Sequence, residues 1–156
     1  MRFVCAPLFN NRERFLSVFS NRVPFAELLV DRRKGIEKRF PQNIGKLEKD
    51  CDWLAVVHAD GNGLGEIFLN FGKYAGCEAA AQNWQYADMF RKFSIALDIC
   101  TEQAFLYAAK EMAQRRKSES VTLPILPIVL GGDDLTVVCD GKEALQFTYD
   151  FLTQFE

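Results

Sequence analysis

At 156 residues, with 49% hydrophobic and 26% charged side chains, the chain has the size and balance of one globular domain, which excludes a disordered or fibrous protein. Its formal net charge of −2 excludes a global basic field for nucleic acid, so any polyanion must be held by a local patch. Five cysteines without a C-x-x-C pair exclude a disulfide framework and favour reduced thiols in a cytoplasmic protein, and no run approaches the roughly 18 apolar residues of a membrane span.

Residues 1–52 read as a partly helical N-terminal appendage. Arg2–Leu8 suggests a short strand interrupted by Pro7, and Pro24 opens a helix with Phe25, Leu28 and Leu29 at helical spacing. The basic clusters Arg32-Arg33-Lys34 and Lys38-Arg39 suit a solvated helix face or, alternatively, a nucleic-acid patch. Residues 53–156 form the second unit.

Trp53 to Asp60 is a continuous apolar run ending in a carboxylate, the pattern of a central strand covered on both faces. Gly61-Asn62-Gly63-Leu64-Gly65 follows at once, and Leu64, Ile67, Phe68 and Phe71 then repeat at helical spacing. Strand, acid, glycine turn, helix is an order that brings backbone N–H groups beside the acid, a natural phosphate cradle; the competing reading is a plain strand-to-helix turn. The spacing lacks the last glycine of G-x-G-x-x-G, which excludes the dinucleotide fingerprint. His58, the only histidine, is expected to be a core residue with no catalytic role.

From Trp84 to about Lys117 the residues Tyr86, Met89, Phe90, Phe93, Leu97, Cys100, Ala104, Ala108 and Met112 recur at three- and four-residue steps, so one long amphipathic helix is expected. Arg115-Arg116-Lys117 would cap its negative end in solvent, or contact a triphosphate or RNA. Ser118 to Ser120 is a polar linker. Ile125–Leu130 and Leu135–Cys139 then flank Gly131-Gly132-Asp133-Asp134, which reads as a β-hairpin with two carboxylates at its tip. Lys142 to Phe155 reads as a last helix with Leu145, Tyr149, Leu152 and Phe155 facing in.

If the hairpin pairs beside the first strand, Asp60, Asp133 and Asp134 converge at one end of the sheet. Two adjacent carboxylates repel by about 4 kcal/mol at 4 Å and an effective dielectric near 20, so the tip is either a tight turn that tolerates this or a site where a cation removes it. Three carboxylates without His or Cys suit Mg²⁺ or Mn²⁺, which take one or two carboxylates together with phosphates and water. Paired ions of this kind support in-line nucleotidyl transfer.

VVHADGNGLG at 56–65 and PIVLGGDDLTVV at 127–138 resemble the palm shared by GGDEF diguanylate cyclases and the large polymerase-like subunit of type III CRISPR effector complexes. The GGDD form, and Leu-Gly shortly after the first acid, resemble the second palm of the CRISPR subunit more closely. The resemblance implies a ferredoxin-like α+β (α/β) fold with a mostly antiparallel sheet and helices on one face. It also implies cyclic oligoadenylate synthesis from ATP in antiviral defence. Carried over, Asp60 and Asp134 would bind the Mg²⁺ or Mn²⁺, and Asp133 would complete the site, with Asp133 and Asp134 catalytic. Gly61, Asn62 and Gly63 would hold the triphosphate, and Gly131 and Gly132 would admit the nucleotide.

The resemblance implies further partners: CRISPR RNA, effector subunits, and a second palm from the same chain or a homodimer. The chain departs from the family in Gly-Asn-Gly after Asp60, where many relatives place a second acid, in lacking a nuclease domain, and in lacking the palm's last strand. It is therefore expected to be a fragment, slow or inactive alone. A diguanylate cyclase, against which Leu135 stands in place of Phe, and a silent palm serving as nucleotide-binding scaffold are the alternatives.

Overall fold

The computed structural model describes residues 40, 41, 43–76, 83–116 and 122–155. In order they form helix α1 (Ile44–Leu47) continued by a 3-10 turn (Glu48–Asp50), strand β1 (Leu54–Ala59), helices α2 (Leu64–Leu69) and α3 (Phe71–Ala75), and the long helix α4 (Asn83–Arg115). Strands β2 (Ile125–Gly131) and β3 (Asp134–Asp140) and helix α5 (Ala144–Phe155) complete the described chain. The strand expected over Arg2–Leu8, the helix from Pro24, the two N-terminal basic clusters and the linker at 118–120 lie outside the described residues.

The sheet has three strands in the order β1-β3-β2, with both pairings antiparallel. β1 and β2 therefore run parallel, connected through α2 to α4, with β3 inserted between them: a split β-α-β arrangement in a mixed α+β fold. A bulge interrupts the β2 register between Pro127 and Val129. Proline has no N–H for the ladder, and a bulge on an outer strand is where that loss costs least.

Helices α4 and α5 cover one face of the sheet only. Ala55, Val57 and Ala59 of β1 meet Ile125, Leu135, Val137 and Cys139 in the main core, together with Ala104, Phe105, Ala108, Met112, Phe147 and Phe151 from the two helices. Among the described residues no element covers the opposite face, where Val56 is 69% and Ile128 54% exposed. This corrects the reading of Trp53–Asp60 as a central strand covered on both faces: β1 is an edge of the described sheet and alternates in burial. His58 is likewise not a core residue. It stands exposed on the open face, where its Nδ1 is 2.9 Å from Thr136 Oγ1, its register partner on β3.

Helix α4 spans 33 residues, about 50 Å at 1.5 Å per residue, and serves two cores. Its first half (Phe93 and Leu97, with Tyr86, Met89 and Phe90 at the margin) packs on Leu64, Ile67, Phe71 and Ala75 of α2 and α3. Edge-to-face rings, such as Phe71 on Phe90 at 5.2 Å, fill that core. Its second half packs on the sheet and α5, and Phe40, ahead of α1, lies against Phe105 at 5.5 Å.

Helix α5 is rotated relative to the expected face. Ala144, Phe147 and Phe151 point into the core, while Leu145, Tyr149 and Leu152 are exposed. Phe155 packs at the margin of both cores as expected. Apolar residues lie on two sides of this helix, and the side with the Phe147 and Phe151 rings turns inward while Tyr149, whose hydroxyl needs water or a partner, stays outside. Arg115 and Arg116 at the end of α4 are ion-paired rather than free capping charges, and Lys117 lies outside the described residues. Arg115 bonds Glu143 (3.1 Å) and Asp150 (2.6 Å), and Arg116 bonds the buried Asp140 (3.3 Å), tying α4 to the β3–α5 turn and α5. Burial, with Asp140 nearby, pushes the Cys139 thiol up to about 11, which makes it unreactive near neutral pH.

Candidate metal and nucleotide site

The hairpin is tighter than the four-residue break suggests. β2 runs to Gly131 and β3 starts at Asp134, leaving Gly132 and Asp133 as a two-residue turn. Gly132 has φ +61°, the left-handed backbone that this connection requires and that a side chain would strain. Asp134 therefore lies inside the ladder and Asp133 at the tip.

On the neighbouring strand, Ala59 pairs with Leu135, so the next residue outward, Asp60, falls beside Asp134. The two carboxyls are within hydrogen-bonding reach. That bond first, then loss of solvent, then the like charges of Asp133 and Asp60 raise the Asp134 pKa, with the His58 ring opposing. Like charges brought this close disfavour the ionised form of Asp134. Among the described residues no Lys or Arg forms an ion pair with Asp60, Asp133 or Asp134.

Asp133 is drawn to the same end by close packing on Gly61. A Cβ at Gly61 would stand 2.8 Å from Asp133 Cβ and 2.9 Å from its Oδ2, distances that real side chains do not tolerate. Gly61 is thus the residue that lets the turn after β1 and the hairpin tip meet. The chain then turns through Asn62 and Gly63, and Gly63, with φ +78°, starts α2. Helix α2 has only six residues and carries Glu66 in its first turn. Its dipole is accordingly weak and opposed, so any anion held here depends on the backbone at 61–63 more than on the helix.

Sequence reading missed two residues at this site, both on α4. Asp98 Oδ1 accepts the Gly132 N–H at 3.0 Å, and the Thr101 hydroxyl, fully buried, reaches both Leu97 O and Gly132 O. Their only signal in the sequence was polarity in a helix otherwise apolar on that side: Asp98 and Thr101, three residues apart, share a face next to Leu97 and Cys100.

The oxygen-only donor set suits a hard divalent cation, which would offset the crowding of Asp60, Asp133 and Asp134. Among the described residues no three His, Cys, Asp or Glu side chains stand close enough to enclose an ion by themselves. A Mg²⁺ held by one or two carboxylates completes its octahedron with phosphate oxygens and water, so Asp60 and Asp134, with Asp133 beside them, fit that mode of binding.

No family model and no curated protein matches this chain. Among the described residues no helix is long and apolar enough to cross a membrane.

Proposed function

We propose that the chain is a metal-dependent nucleotidyl-transfer palm of the kind found in type III CRISPR effector complexes, using ATP to form cyclic oligoadenylate. The observation that carries this reading is the meeting of Asp60 and Asp134, from separate strands, with Asp133 packed on Gly61 at the same sheet end. A structural turn has no use for a second strand's acid aimed at it without a cation. The β1-β3-β2 order with helices on one face also supports a ferredoxin-like palm in which a fourth strand would lie beside β1.

Within this reading, the residues act as follows. Asp60 and Asp134 would hold Mg²⁺ or Mn²⁺, and Asp133 would orient the ion or its water. When bound, the ion supplies charge neutralisation for the triphosphate and lowers the pKa of an attacking hydroxyl. Gly61, Asn62 and Gly63 offer main-chain N–H groups to phosphate oxygens. Gly131 and Gly132 present a surface without side chains to the nucleotide. A second palm, from the same chain or another copy, would supply the facing half, with CRISPR RNA and effector subunits as further partners.

The full chain incubated with Mg²⁺ or Mn²⁺ and either ATP or GTP, with products separated by chromatography, tests the proposal. Cyclic or linear oligoadenylate from ATP is the expected result. A guanylate product would move the assignment to a diguanylate cyclase. Tight nucleotide binding without any product, alone or with a second palm, would mark a silent nucleotide-binding scaffold.

A further inference from the structure

The two backbone groups of Gly132 are taken not by the hairpin but by helix α4. In a two-residue hairpin turn the central peptide groups normally face water. Here the N–H is accepted by Asp98 Oδ1 at 3.0 Å and the carbonyl receives the buried Thr101 hydroxyl. The two bonds fix the peptide planes on either side of Gly132, and the second of those planes carries the amide nitrogen of Asp133. Gly131 closes the same contact from below, since a Cβ there would lie 3.3 Å from Asp98 Oδ1. Asp98, itself exposed, directly follows Leu97, the last α4 residue of the second core, and Thr101, fully buried, lies one turn further on, so the Thr101 arm of the clamp is anchored in packed structure.

We infer that Asp98 and Thr101 are positioning residues that set the direction of the Asp133 carboxylate relative to Asp60 and Asp134. This rests on the nucleotidyl-transfer reading of the acids. Asp60 arrives from β1 and its position is set by the β1–β3 ladder. Asp133 lies outside any ladder, at the tip of a turn whose glycine has no side chain to restrain it. Without the clamp the tip could rock about Gly132 by small backbone rotations. A divalent ion that demands near-octahedral geometry at 2.0–2.1 Å tolerates little of that. Groups that orient metal ligands typically contribute about 10–100-fold to affinity or activity.

The test is Mn²⁺ affinity of the full chain, followed by electron paramagnetic resonance of the free ion, alongside exchange of the Gly132 amide proton in metal-free protein. Asp98→Leu and Thr101→Val each remove the bond to Gly132, Thr101→Val also the local one to Leu97 O; Asp98→Asn and Thr101→Ser keep an acceptor or donor in place; Asp60→Asn reports on the acids themselves. Both removing variants are expected to weaken Mn²⁺ binding by about 10–100-fold and, for Asp98→Leu, to speed Gly132 exchange, while the conservative pair stays close to wild type. Thermal melting of the metal-free variants should change far less than affinity does. Loss of Mn²⁺ binding in Asp60→Asn with normal binding in Asp98→Leu and Thr101→Val overturns the clamp and leaves the metal reading standing. Equal Mn²⁺ binding by wild type and Asp60→Asn overturns the metal reading, and the clamp with it. Asp98→Asn behaving like Asp98→Leu would show that the charge matters and not the hydrogen bond, which also overturns positioning.

Discussion

The two ends of the sheet solve the same problem in opposite ways. At one end β3 finishes in Asp140, which is buried, and Arg116 and the Lys142 N–H satisfy its two oxygens. Glu143 and Asp150 next to it share Arg115, and Asp52 pairs with Lys142. At the other end Asp60, Asp133 and Asp134 are crowded, and among the described residues no Lys or Arg forms an ion pair with any of them. A buried carboxylate is held by built-in cations where the role is structural. Carboxylates left without a built-in partner are where an external cation would act under the proposed function.

The sharpest way to break this comparison is Asp133→Asn with Asp134→Asn. Mn²⁺ binding and ATP turnover should fall by more than the roughly 10–100-fold that removal of an orienting group costs, with the metal-free melting temperature preserved or slightly raised. Unchanged metal affinity, measured by calorimetry, would place the acids in a structural turn.

At the opposite end, Arg116→Met should do the reverse. Stranding the Asp140 carboxylate, whose side chain is 6% exposed, should lower stability by about 3 kcal/mol in urea titration and leave Mn²⁺ affinity unaltered. A loss of metal binding in this variant at temperatures where it remains folded would show that the two ends are not independent.

Gly61→Ala sharpens the contrast within the acid end. The new methyl must displace both the Leu64 side chain and Asp133, so we expect about 1–3 kcal/mol of destabilisation together with weakened Mn²⁺ binding. Wild-type affinity in this variant, by the same calorimetry, would show that Asp133 contributes nothing to the ion.

A smaller effect concerns pH. The folded Asp134 carboxyl keeps its proton to higher pH than the 3.8 ordinary for an aspartate. Its favourable contribution is therefore fully present below the unfolded value and is lost as pH rises through the folded one. Asp134→Asn, which never ionises, should melt above wild type at pH 7 without metal, and the gap should close toward pH 3. Adding Mn²⁺ should raise only the wild-type melting temperature. The least effect is expected from Lys142→Ala: its pair with Asp52 is solvent-exposed on both sides, and melting should be unchanged within error.

Much of the fold was legible from local pattern. The limits of β1, the start of α2 after Gly63, the length of α4 and the hairpin all follow from residue spacing and turn chemistry, which act within a few residues. The convergence of Asp60 with Asp134 was also within reach, because strand ends and a hairpin leave few pairings. What local pattern misjudged is which faces are covered. Val56 and His58 belong to an apolar run that looks buried on both sides, yet helices pack on one face of the sheet only. Leu145, Tyr149 and Leu152 repeat at helical spacing just as Phe147 and Phe151 do, and only the partner surface of α4 decides which set turns inward.

By itself, then, the order of residues determined the elements and the acids at their ends, since backbone conformation and hydrophobic period are short-range properties. Tertiary structure alone decided the destinations of long side chains. Arg115 and Arg116 read as capping charges and are ion-pair anchors 24 to 35 residues from their partners. Asp98 and Thr101 read as two polar positions on a helix, and they hold Gly132 across more than thirty residues of chain. Hydrogen bonds and ion pairs depend on distances of about 3 Å between groups far apart in sequence, and those distances are set only when the cores close.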